Sequence, residues 1–163
     1  MDGEVTELML ERGTFYVPTA LAGTTVAEIA AKESYMPPAI RDKALEVGPQ
    51  IVGTLARAHK AGIRIAFGTD TAVSPHGENA REFALMVKAG MTPMEAITAA
   101  TVTAAEHIGQ ASALGTIEPG RVADIIATGS SPLDDVRALE AVSFVMRDGK
   151  VFKNWRRPGA SKR

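Results

Sequence analysis

The chain has 163 residues, 45% hydrophobic and 23% charged, which is enough apolar material for one ordinary domain with a solvated surface. A formal net charge of -1 leaves no electrostatic footprint for nucleic acid or an anionic membrane, and no apolar run approaches the roughly 20 residues that cross a bilayer. The absence of cysteine excludes disulfides, thiolate nucleophiles and thiolate metal sites, so a metal would rest on Asp, Glu and the three histidines His59, His76 and His107.

The acidic start Met1-Asp2-Gly3-Glu4 has no basic flank or apolar signal core, and the expected compartment is the cytoplasm. Thr6 to Arg12 reads as the end of a helix stopped by Gly13, and Thr14–Val17 as a short strand closed by Pro18. Thr24 or Thr25 can cap a helix through Val26, Ile29 and Ala31, which Pro37-Pro38 breaks. A longer helical region runs from Pro38 to about Ala61, and Gly48-Pro49 should kink or split it. Ile63–Phe67, bounded by Gly62 and Gly68, has the unbroken apolar pattern of a strand covered on both faces. Asp70 lies just past its C-terminal end, followed by a polar loop, Thr71 to Gly77, and a helix over Glu78–Ala89 ended by Gly90. Thr92-Pro93-Met94-Glu95 has the spacing of a capping box with Pro at the first helical position, and a further helix runs from about Thr103 to Ile108.

After Gly109 short strands and tight turns replace the helices. Gly115–Gly120 and Ala123–Thr128 read as strands, Leu133 to Leu139 as a connection, and Val142–Arg147 with Lys150–Lys153 as a hairpin about Asp148-Gly149. The expected class is therefore α/β, with a parallel layer over residues 1–110 and a small antiparallel sheet over 111–154. The basic tail 155–163, with Arg156, Arg157, Lys162 and Arg163, reads as a frayed, solvated terminus in preference to a binding arm.

Asp70 carries two readings, a metal ligand or general base and a cap of its own loop. His76 shares that loop and reads either as a pocket residue or as an ordinary surface histidine. His59 and His107, both near helix ends, read as structural. Asn79 and Arg81 open a helix whose N-terminus could receive an anionic group, and Tyr16 reads as core packing with a wet hydroxyl. No phosphate-binding glycine loop and no G-x-S-x-G elbow is present.

Several motifs, in order, resemble the amidohydrolase superfamily. They are Ala66-Phe67-Gly68-Thr69-Asp70-Thr71, Ser74-Pro75-His76-Gly77-Glu78-Asn79, Met91-Thr92-Pro93-Met94-Glu95-Ala96-Ile97, Leu114-Gly115-Thr116-Ile117-Glu118-Pro119-Gly120 and Val145-Met146-Arg147-Asp148-Gly149-Lys150-Val151. The branch they resemble most is the imidazolonepropionase-like group with its Xaa-Pro dipeptidases (prolidases). The resemblance implies a metal-dependent (β/α)8 barrel of the TIM type with a small composite β-sandwich, this chain supplying about the last two barrel strands and part of the sandwich. It further implies zinc or another divalent metal, with Asp70 both binding the metal and taking a proton from the attacking water. Tyr16 and His76 would contact substrate, and the substrate would be a dipeptide or an N-acyl amino acid.

A complete member of that superfamily also carries a His-x-His pair, a lysine or glutamate and two further histidines on earlier strands. None of those segments is among these 163 residues. A barrel of this kind needs about 250 residues, and a catalytic zinc about three protein ligands. The sequence therefore reads as a C-terminal portion that is inactive alone, its partner being a second copy or a complementing N-terminal half. The rival reading is a non-catalytic product that serves as an interaction module.

Overall fold

The computed structural model describes residues 2–32 and 36–154. The basic tail expected over 155–163 lies outside the described residues. Six helices come first: α1 (Gly3–Arg12), α2 (Ala20–Lys32), α3 (Pro38–Lys60), α4 (Arg81–Lys88), α5 (Pro93–Ala100) and α6 (Val102–His107). Strands β1 (Ile125–Thr128), β2 (Val142–Arg147) and β3 (Lys150–Asn154) follow, with a 3-10 helix, Val136–Ala141, between β1 and β2.

Local chemistry sets several boundaries. The Asp2 carboxylate accepts the Val5 N–H at 2.9 Å, and Gly13 (φ 60°) closes α1 in the left-handed region. Thr92 Oγ1 accepts the Glu95 N–H while the Glu95 carboxylate accepts the Thr92 N–H, so the expected capping box forms at the start of α5. At the hairpin, Asp148 (φ 49°) and Gly149 (φ 71°) both have positive φ, as a two-residue turn matching strand twist requires.

Four expectations are corrected. First, α3 is continuous through Gly48-Pro49. Pro49 cannot donate to the Leu45 carbonyl, but Gly48 is buried against α2, where a Cβ would lie 2.5 Å from that of Ala27 and 3.0 Å from the Gly23 carbonyl oxygen. Tertiary packing holds the helix where local propensity would break it. Second, Thr24 and Thr25 lie inside α2, which starts at Ala20. Third, the segments over 14–17 and 63–67 do not form a ladder; they meet at one parallel bridge, Tyr16 with Ile65. Tyr16 N–H donates to Arg64 O and Ala66 N–H to Tyr16 O, at 2.8 and 3.0 Å. The next bond in that parallel pattern needs an N–H at residue 18, which is proline. Fourth, residues 115–120 form no strand but a bend, an irregular stretch and a turn, while the expected connection before β2 winds into the 3-10 helix, whose start is capped by the Asp135 carboxylate on the Arg137 N–H.

The core gathers Leu55 of α3, Ile65, Met86 of α4, Met91, and Ala96 and Ala99 of α5, with Phe67 and Phe83 packed against it. Phe67 N–H donates to Ala99 O at 3.0 Å, which ties the second extended segment to α5. The three strands form an antiparallel sheet in the order β1-β2-β3, and the 3-10 helix packs on α4 to join the sheet to the helical layer. The described chain is thus a mixed α/β structure with a small antiparallel sheet.

Candidate functional site

The two extended segments end side by side. Gly68 makes this close approach feasible, since a Cβ there would sit 2.4 Å from Val17 Cγ1. Two residues further on, Asp70 is exposed and has a φ of 50°, a left-handed conformation uncommon outside glycine and tolerated best by Asn and Asp. Among the described residues its carboxylate accepts no hydrogen bond. Only its carbonyl is engaged, by the Val73 N–H at 3.3 Å. Of the two readings open for Asp70, the side-chain loop cap is not what the structure contains.

The neighbours of Asp70 hold the loop instead. Thr69 and Thr71 share a hydroxyl–hydroxyl hydrogen bond of 2.7 Å, and the Asn79 amide donates to both hydroxyls, at 3.1 and 2.5 Å. Asn79 is therefore spent on the loop and does not face an incoming anion. Arg81 is engaged too, by Glu78 at 2.7 Å and Glu28 at 3.4 Å. The helix expected from Glu78 begins at Arg81, with Ala80 before it offering no side-chain cap. An anion at this helix start would have to compete with two carboxylates.

Tyr16 is half-buried against the core cluster. Burial raises its phenol pKa, the Glu82 charge raises it further, and Arg57 opposes them. His76 is exposed on the loop after Asp70, and no hydrogen bond joins Asp70, Tyr16 and His76 among the described residues. The other two histidines belong elsewhere. His59 pairs with Glu95 at 3.4 Å, beside a groove of about 350 Å³ lined by Ile63, Met91 and Thr98 among others. The His107 ring centroid lies 4.8 Å from that of Phe15, which also carries the Arg64 guanidinium 4.0 Å above its ring. Among the described residues no group of three or more His, Asp or Glu is placed to hold a metal ion.

One buried structural acid was not legible in the sequence. Glu82 has no exposed surface, and its carboxylate accepts the Ala20 N–H at 2.9 Å and the Leu21 N–H at 2.6 Å. It caps α2 from α4, tying the chain after the first extended segment to the chain after the second. Burial raises its pKa and the two N–H donors oppose that rise. The signal available was an acid on the α4 face that also carries Met86 and Ala89, where an apolar residue is the norm.

The profile described as "Amidohydrolase family" matches residues 1–153. Ochratoxinase from Aspergillus niger is 40% identical over 161 residues, which are 93% of this chain and 32% of that protein. A crystal structure of a Xaa-Pro dipeptidase with bound methionine superposes with a TM-score of 0.91 at 44% identity, over 94% of this chain and 38% of the other. A prolidase complexed with N-methylphosphonate-L-proline superposes with a TM-score of 0.83 at 28% identity, over 94% and 38%. The chain thus spans between 32% and 38% of the length of these relatives.

Proposed function

The chain belongs to the amidohydrolase family, and from that membership we propose that it is one part of a metal-dependent hydrolase acting on the amide bond of dipeptides or N-acyl amino acids. The observation that carries the reading is Asp70: an exposed carboxylate that accepts no hydrogen bond among the described residues, just beyond an extended segment, where α/β enzymes gather their chemistry. Such a carboxylate can take the proton of an attacking water, which is worth about 100- to 10,000-fold in rate. The Xaa-Pro dipeptidase and prolidase structures support a small, amide-linked amino-acid substrate. His76 is assigned as a substrate contact in the completed pocket from its place six residues after Asp70 in the same loop, and Tyr16 from its place on the extended segment bridged to Ile65.

The described residues do not by themselves fit a divalent metal such as zinc. Asp70 is one carboxylate, and a catalytic zinc takes about three protein ligands. Asp70 is therefore assigned as one ligand of a site completed by residues beyond these 163. The second reading, a non-catalytic interaction module, draws on that incomplete donor set and on α1, which buries none of its residues.

Two measurements separate them. Elemental analysis of the purified chain should find no tightly held metal; about one zinc per chain would show that an assembly of copies completes the site. In a hybrid where this chain replaces the matching segment of the Xaa-Pro dipeptidase, Asp70→Asn should lower kcat by about 100- to 10,000-fold with the fold intact. Near-unchanged turnover would remove Asp70 from the chemistry, and with it the hydrolase reading.

A further inference from the structure

We propose that Asn79 is a positioning residue: its side-chain amide, bound to the hydroxyls of Thr69 and Thr71, holds Asp70 between them in its left-handed conformation and so aims the Asp70 carboxylate out of the fold. The inference rests on the assignment of Asp70 as the reacting carboxylate.

The geometry is specific. In an extended backbone residues i and i+2 point to the same face, so the Thr69–Thr71 pair alone would not force the residue between them out of the extended region. Here their hydroxyls lie 2.7 Å apart, and Asn79 reaches both from the far end of the loop, donating at 3.1 and 2.5 Å. Both amide hydrogens are thereby used, one on each hydroxyl. The loop turns sharply inside this clamp, with Asp70 at φ 50° and Ala72 at φ 121°, neither of them glycine. Positive φ in two non-glycine residues persists only where surrounding contacts over-determine it. The contacts present are the clamp, the Val73 N–H on the Asp70 carbonyl and the Ala72 N–H on the Ser74 carbonyl, the last two both at 3.3 Å. The clamp is the stronger set. It also spares the carboxylate, since no donor of the loop is aimed at Asp70 Oδ1 or Oδ2 among the described residues.

An unclamped Asp70 would relax toward negative φ, which swings its carboxylate away from the reacting position without removing it. A displacement of about 1 Å at a reacting group costs on the order of 100-fold in rate. The effect belongs in kcat, because the Asn79 amide is spent on the two hydroxyls and acts through Asp70.

The test has two arms. In the 163-residue chain, NMR scalar couplings and Cα shifts of Asp70 report its φ directly. They should indicate positive φ in the wild type and shift toward extended values in Asn79→Leu, with the melting temperature little changed. Asn79→Gln, which keeps the amide on a longer arm, should restore part of the wild-type signature. Identical Asp70 couplings in wild type and Asn79→Leu would overturn the proposal, whatever the activity. In the hybrid enzyme, Asn79→Leu should lower kcat by about 100-fold with KM within about twofold. Unchanged kcat beside an inactive Asp70→Asn would overturn the clamp and leave the role of Asp70 standing. A loss confined to KM would make Asn79 a substrate contact and also overturn it. An active Asp70→Asn would instead sink the reading of Asp70 on which the proposal rests.

Discussion

Glu82 shows how one residue can fix the relation between two distant stretches of chain. Its carboxylate has no exposed surface, and it supplies the acceptor for two N–H groups at the start of α2 that the helix cannot satisfy itself. Glu82→Ala should therefore cost about 2–3 kcal/mol, mostly the desolvation of donors left without a partner. The pH dependence follows from the direction of its shift. Burial raises the Glu82 pKa above the ordinary glutamate value of 4.5, so the folded state holds this proton more tightly than the unfolded chain. Its contribution is full below about pH 4.5 and is lost as pH rises through the raised value. Glu82→Gln, which cannot titrate, should abolish that decline, and urea melts across the pH range would show it. Parallel wild-type and Gln curves would mean that the two N–H bonds offset the effect of burial on Glu82. None of this was legible in the sequence beyond an acid out of place on an apolar face, because its partners lie 61 and 62 residues away.

At the scale of elements, what the sequence shows is what neighbours in the chain decide. The capping box at Thr92 and Glu95, the Gly13 stop and the Asp148-Gly149 turn all depend on residues at most three or so apart, and each is legible. The continuity of α3 is not, because the contact that overrides Gly48-Pro49 comes from Gly23 and Ala27 on another helix. The same division governs Gly68. As a letter it only bounds an apolar run; in the fold it lets the 63–67 segment meet Val17. Gly68→Ala should force the two segments apart and lower stability by about 1–3 kcal/mol, the usual cost of overpacking. Because the clash is with one Val17 methyl, Val17→Ala in the same chain should recover much of the loss. Additive losses in the double variant would mean that the strain lies in the backbone rather than in that contact. Asp70 stands two residues beyond, so its displacement in Gly68→Ala would follow from the same shift.

The whole molecule presents a different imbalance, between apolar content and covered surface. A hydrophobic fraction of 45% suffices for a core, yet much of it lies outside one. Helix α1 buries no residue, with Leu8 48% exposed, and β3 is exposed throughout, with Phe152 at 65%. Composition could not reveal this, because it counts apolar residues without saying which have something to pack against. Amphipathic helices and edge strands left in this state seek partners, the strand through free N–H and C=O groups and the helix through its apolar stripe. The chain spans 38% of the Xaa-Pro dipeptidase structure it superposes on and 32% of ochratoxinase. The expected outcome is self-association of the isolated chain at micromolar concentration, seen by sedimentation velocity as species heavier than one chain. Leu8→Lys with Phe152→Lys should shift the distribution toward the monomer, since each places a charge where association would bury an apolar side chain. A single monomeric boundary across the concentration range would show that these faces are tolerated in water. In that case exposed apolar area would not translate into partnership for this chain.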